Sequence, residues 1–179
     1  MEDVEEPAKT SAWIRDFHWL TPDVAVGGCF PMERARELAN EHGIRAVIDL
    51  RGESCDDEVV LSGEGIDFLH LPTPDLEPAS NDQLERGVAF VKAHVRRGHK
   101  VLIHCQHGIG RSALLALCVL VDEGWQPLEA LAHAKGRREA ISPSRLQYEG
   151  WSDWLASRGV PAPDYHSFGC VAYRHLAGD

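Results

Sequence analysis

Cys105 and Arg111 bracket five residues, two of them glycine, in the stretch Val101-Leu102-Ile103-His104-Cys105-Gln106-His107-Gly108-Ile109-Gly110-Arg111-Ser112. A thiol and a guanidinium at the two ends of so short a loop can act on one anion. Glycines let the loop curl so that successive backbone N–H groups face inward and form an anion-binding concavity. An apolar helix pattern, Ala113 to Leu120, starts directly after the arginine, so a helix N-terminus adds its positive end. Arg111 offers a planar, bidentate grip on phosphate oxygens. A cysteine in such a field ionises readily and becomes a nucleophile. A buried structural cysteine needs none of this surrounding, and Cys118 inside the apolar helix reads as one. A zinc reading of His104, Cys105 and His107 lacks a second suitably spaced Cys/His pair. No metal and no cofactor are expected.

The string fits the pattern HCxxGxxRS and resembles the signature loop of the cysteine-dependent protein tyrosine and dual-specificity phosphatases. His104, Cys105, Gly108, Arg111 and Ser112 carry the match. The resemblance implies an enzyme that hydrolyses phosphomonoesters through a cysteinyl-phosphate. Cys105 would attack phosphorus, and Arg111 with the loop residues Gln106, His107, Gly108, Ile109 and Gly110 would bind the phosphoryl group. The Ser112 hydroxyl would stabilise the departing thiolate, with helix capping as a compatible second role. His104 would order the loop rather than move protons.

The leaving group needs a general acid, which the family carries on a separate upstream loop. Leu71-Pro72-Thr73-Pro74-Asp75-Leu76-Glu77-Pro78 follows an apparent strand and precedes a helix that returns to the cysteine strand. Asp75 is the expected acid, with Glu77 and Asp82 as the next candidates. Gln147, in Ile141-Ser142-Pro143-Ser144-Arg145-Leu146-Gln147, resembles a later glutamine-bearing element that supports the loop and positions water, or else is a helix-surface amide. Arg51 reads as a strand-end arginine paired with Asp49 or Glu53, and Cys55 as an ordinary loop cysteine rather than a disulfide partner for Cys105.

These residues need a scaffold. Trp13 to Leu20 and Val24 to Val26 read as strands joined by a turn at Thr21-Pro22-Asp23. Met32 to His42 reads as a helix ended by Gly43. Ala46 to Leu50, Ile66 to Leu71 and Lys100 to His104 read as further strands. Helices are expected from Ser80 or Asn81 to about Arg97, over Ser112–Glu123, Pro127–Lys135 and Ser144–Ser157, and over Tyr165–Leu176. This order gives a single α/β domain: a central, mostly parallel sheet flanked by helices, with the ligand at the carboxyl ends of its strands. Residues 1–11 read as a disordered acidic tail, 12–158 as the phosphatase domain, and 159–179 as a C-terminal helical extension packed on it.

Composition narrows the partners. The chain has 179 residues, 44% of them hydrophobic, and a net charge of −10, which suits one domain and disfavours nucleic-acid binding. The cluster Lys135, Arg137 and Arg138 reads as a solvated helix end. Five scattered cysteines do not make a secreted disulfide framework, and a reactive thiolate suits a reducing, cytoplasmic setting. Met1 to Thr10 has no apolar core for a signal peptide, and no run reaches membrane-spanning length.

The expected substrate is a phosphorylated protein or a small phosphomonoester, foremost phosphotyrosine and also phosphoserine or phosphothreonine. None of Gln106, His107, Ile109 and Gly110 is lysine or arginine, which disfavours a multiply phosphorylated inositol headgroup. Phosphoinositide and RNA 5′-phosphate hydrolysis stay open within the resemblance. Outside it stand a non-catalytic phosphate-binding module and a rhodanese-type sulfurtransferase, whose loop is usually shorter.

Overall fold

A computed structural model describes residues 13–177; the expected tail at 1–11 lies outside the described residues. Five strands form one sheet in the order β1-β2-β5-β3-β4. They are β1 (Phe17–Trp19), β2 (Val24–Gly27), β3 (Ile44–Arg51), β4 (Asp67–Thr73) and β5 (Lys100–His104). Only the β1–β2 pair is antiparallel; β2–β5, β5–β3 and β3–β4 are parallel. The mostly parallel sheet read from the sequence is therefore present.

Seven α-helices cover it: α1 (Ala35–His42), α2 (Glu58–Gly63), α3 (Asn81–Arg96), α4 (Arg111–Asp122), α5 (Pro127–Arg137), α6 (Arg145–Ser157) and α7 (Tyr165–Ala172). The central strands are buried on both faces, as parallel strands are when helices cover both sides. Val101 and Ile103 of β5 face a core built with Leu84 and Val88 of α3, Trp151 of α6 and Phe168 of α7. Leu102 and Val47 face the opposite layer, with Leu38 of α1 and Leu61 of α2.

Local sequence explains most of the ends. Ser80 and Ser144 cap α3 and α6 with full capping boxes, through Gln83 and Gln147. Pro127 opens α5. Gly43 closes α1 in the left-handed region, at φ +70°.

Several expectations change. The first strand begins at Phe17, not Trp13, and the helix expected from Met32 opens as a 3-10 turn. The last helix breaks at Tyr173 into α7 and a 3-10 turn at Arg174–Leu176. Helix α2 was not anticipated; six residues carry too little periodicity to register, and its signal is Asp57, whose carboxylate accepts the Val59 and Val60 N–H groups.

Candidate active site

The sheet delivers Cys105 at the end of β5, and α4 begins at Arg111, so the loop 105–110 spans the carboxyl edge of the sheet. Its carbonyls are held from outside. Cys29 N–H donates to Gln106 O at 3.1 Å and Ser142 N–H to Ile109 O at 2.9 Å. Arg138 donates Nη2 to His107 O at 2.8 Å and Nε to Gly108 O at 2.9 Å. In a trans peptide the carbonyl and the next N–H point in opposite directions. Pinning four successive carbonyls outward therefore aims the N–H groups of His107, Gly108, Ile109 and Gly110 into the concavity. Gly108 sits at φ +67°, and a Cβ there would collide with the Gly27 carbonyl group. A Cβ on Gly110 would collide with Gln147 Oε1. Gly108 is therefore required by both backbone and space, whereas a side chain at 110 would have to displace the end of Gln147.

Cys105 lies at the floor, 3% exposed, with Sγ 3.2 Å from Ser112 Oγ. Burial pushes this thiol up, but the Ser112 hydroxyl, the Ser112 and Gly108 N–H groups and the Arg111 charge outweigh it, and the thiol is held below its ordinary value. Ser112 does not cap α4. Gly110 is the N-cap and offers no side chain, so the N-terminal N–H groups stay available to an anion.

Arg111 is 2% exposed. Its Nη1 and Nη2 meet both oxygens of Glu53 at 2.7 Å, and Nη1 also donates to Thr73 O at 2.9 Å. Its Nε is buried without a partner. Glu53 answers with a carboxyl pulled down to about 2 by the guanidinium. Asp75 Oδ1 stands 3.6 Å from Arg111 Nη2, exposed to solvent. Asp75, Cys105 and Arg111 thus line one pocket of about 350 Å³. The Asp75 loop is itself tied down: Ser144 Oγ donates to Leu76 O at 2.6 Å, and Leu76 holds the left-handed backbone at φ +65°. Such strain in a non-glycine residue persists only where surrounding contacts impose it.

His104 is fully buried behind the loop. Its Nε2 meets Asp56 Oδ2 at 2.5 Å, and its Nδ1 faces Cys105 O at 3.2 Å. Burial lowers the imidazole pKa, but the Asp56 carboxylate more than offsets it, and the ring is held above its ordinary value. Asp49 and Arg51 complete this ionic cluster, with Arg51 donating to Asp49 through Nε and Nη2 and to Asp56 through Nη2. Asp49, Asp56 and His104 come within ligand distance of one another, but here Arg51 donates to both carboxylates and His104 Nε2 meets Asp56.

Two readings are corrected, the solvated Lys135–Arg138 cluster and the Ser112 cap, and two that stood as alternatives, for Arg51 and Gln147, are decided. Lys135 and Arg138 are buried, not a solvated helix end. Lys135 Nζ donates to Ile141 O and Ala172 O at 2.7 Å, and Arg138 also pairs with Asp16 at 2.9 Å. Arg51 pairs with Asp49 as expected, but its second carboxylate is Asp56, because Glu53 is taken by Arg111. Gln147 is buried rather than a surface amide: Oε1 accepts Ser144 N–H and Nε2 donates to Glu77 O at 3.3 Å, so it braces the Asp75 loop. Ser112 is not a cap. Glu53, Asp56 and Arg138 were missed as site residues. Their one sequence signal is charge in otherwise ordinary loop and helix-end positions.

Comparison with known proteins agrees with this geometry. A family model described as "Dual specificity phosphatase, catalytic domain" matches residues 30–150. The human protein named Phosphatidylglycerophosphatase and protein-tyrosine phosphatase 1 is 28% identical over 122 residues, covering 64% of this chain and 61% of that protein. Rat Dual specificity protein phosphatase 5 is 26% identical over 155 residues, covering 80% of this chain and 38% of that protein. The chain therefore spans less than two thirds of the length of these relatives. The crystal structure of Tk-PTP in its active form superposes with a TM-score of 0.73 at 26% identity, over 79% of this chain and 97% of that one.

Proposed function

Because the chain belongs to the dual specificity phosphatase catalytic domain family, we propose that it hydrolyses phosphomonoesters in two steps through Cys105. The phosphoryl oxygens take the inward N–H groups of the loop and the Arg111 guanidinium. The Cys105 thiolate attacks phosphorus, the bond to the ester oxygen breaks, and Asp75 gives that oxygen its proton. A water then attacks the thiophosphate, Asp75 takes the water proton, and the thiolate leaves with Ser112 Oγ–H donating to it. Positioning and electrostatics supply most of the rate, as phosphoryl transfer requires. The observation that carries this reading is the loop with four carbonyls pinned outward over a thiol held below its ordinary value.

Phosphotyrosine is the leading substrate, with phosphoserine and phosphothreonine as weaker ones. Arg111 is the single lysine or arginine among the residues lining the pocket, so one phosphate is served and a second has no cation. The relative whose name joins a lipid phosphatase to a tyrosine phosphatase makes a lipid monophosphate the second reading. A reducing compartment such as the cytoplasm suits the thiolate, and all five cysteines are free. No helix among the described residues is long and apolar enough to cross a membrane. Catalysis is assigned to residues 12–158, with 159–179 as an extension of the same domain.

The test is phosphate release by wild type and Cys105→Ser, side by side, on phosphotyrosine and phosphoserine peptides and on a phosphoinositide. Release by wild type alone, fastest from phosphotyrosine, is expected. No release from folded, reduced wild type would defeat the phosphatase reading.

A further inference from the structure

Among the described residues seven large apolar side chains are exposed; Ile14, Val59 and Val60 lie elsewhere, and three others meet at one place. Leu76 (64% exposed), Ile109 and Leu176 (71% exposed) all line the pocket over Cys105. Tyr173 joins them, and exposed Leu146 lies in sequence between the pocket residues Ser144 and Gln147. Tyr173 and Leu176 belong to the C-terminal segment, beyond the matched residues 30–150.

That segment is a fixed wall. Tyr173 Oη donates to Pro143 O at 2.6 Å. Arg174 grips Glu139 through Nε and Nη2 at 3.1 and 2.9 Å. The buried Lys135 ammonium holds Ala172 O, just before Tyr173, together with Ile141 O, just before the pocket residue Ser142. One cation thus fastens the wall to the stretch whose Ser142 N–H pins the phosphate loop at Ile109 O. Solvent-exposed leucines gain nothing where they stand, and a cluster of them beside a binding site marks an apolar ligand.

We propose that Tyr173 and Leu176, with Leu76 and Ile109, form a specificity collar that receives an apolar side chain next to the phosphorylated residue of a peptide substrate. This rests on the phosphatase reading and names its substrate class. Charge favours a peptide over a lipid surface. Asp75 is an exposed lining residue, exposed Glu53 pairs with the lining's Arg111, the lining holds only Arg111 as a lysine or arginine, and the chain carries a net charge of −10. An anionic membrane surface would be repelled by such a face.

The experiment compares kcat/KM for two phosphotyrosine peptides that differ only in leucine or serine on both sides of the phosphorylated residue. Wild type, Leu176→Ser and Leu176→Met are assayed; position 176 is exposed, so these variants keep the fold. Wild type is expected to favour the leucine peptide by about tenfold, the discrimination typical of one aliphatic contact. Leu176→Ser should cut that ratio several-fold, and Leu176→Met should keep it. The ratio is the readout. An equal ratio in wild type and Leu176→Ser would overturn the collar while leaving the phosphatase reading in place. Faster release from phosphatidylcholine vesicles carrying a phosphatidylinositol monophosphate than from the leucine peptide would overturn the choice of a peptide. Absence of wild-type turnover of a small aryl phosphate would overturn both readings together.

Discussion

Cys105 and Cys118 occupy adjacent elements and are both buried, at 3% and 0% exposure, yet their thiols move in opposite directions. Around Cys118 the packed helix α4 offers little but apolar contact, and burial pushes its thiol well up. Around Cys105 the same burial is present and is overcome by the donors of the loop and α4: the Ser112 hydroxyl, two backbone N–H groups and Arg111. Low solvent access therefore does not decide whether a cysteine is inert. What decides it is whether the surrounding backbone has been turned so that its donors, not its carbonyls, face the sulfur.

The contrast can be broken most severely by replacing the loop thiol proposed as nucleophile. Cys105→Ser should lower kcat by at least about 10³-fold. Cys118→Ala should leave phosphate release intact and cost about 1–2 kcal/mol in denaturant unfolding, as a small cavity does. Comparable activity losses in the two variants would mean that the loop thiol is not special. Next comes the acid. Asp75→Asn should slow a phosphoserine peptide by about 10²- to 10³-fold. It should slow 4-nitrophenyl phosphate far less, because that leaving group needs little help from a proton. Equal losses on both substrates would remove Asp75 from the role.

Arg138 sharpens the comparison from behind the loop. Arg138→Met should lower kcat/KM by about ten- to a hundredfold through misplaced loop donors. It should also raise the pH midpoint of Cys105 alkylation by iodoacetamide, a readout that mere destabilisation would not move. The smallest effect is expected at Ser112. With the thiol held below its ordinary value, activity should fall as the pH drops through that lowered value. Ser112→Ala should move this acid limb, and the alkylation midpoint, upward by about one pH unit, the worth of one hydrogen bond to a charged sulfur. An unmoved midpoint would assign the depression to Arg111 and the backbone alone.

Much of this was open to reading along the chain. The strand, glycine loop and apolar helix around Cys105 are contiguous, so periodicity and turn chemistry place them without tertiary information. The capping serines of α3 and α6 and the closing Gly43 are equally local. Asp75 stands out along the chain because prolines on both sides stiffen the loop that carries it, between a strand and a helix. The misses share one cause. Glu53, Asp56, Arg138 and Lys135 are charged residues in loops or at a helix end, where solvation is the ordinary expectation. Each is recruited by a partner far away in sequence: Glu53 by Arg111, Asp56 by His104, Arg138 by the His107 and Gly108 carbonyls, Lys135 by Ala172 O.

The amino-acid sequence by itself determined the α/β order, the loop cysteine proposed as nucleophile and its arginine, and the loop glycines, because these depend on residue type and short-range spacing. Tertiary structure alone decided which carboxylate holds Arg111, which cation turns the loop carbonyls outward, and that the C-terminal segment walls the pocket. The physical reason is that burying a charge is tolerable only with a specific partner in place. Which groups meet is settled when the sheet and its helices close together, not by the sequence around either one.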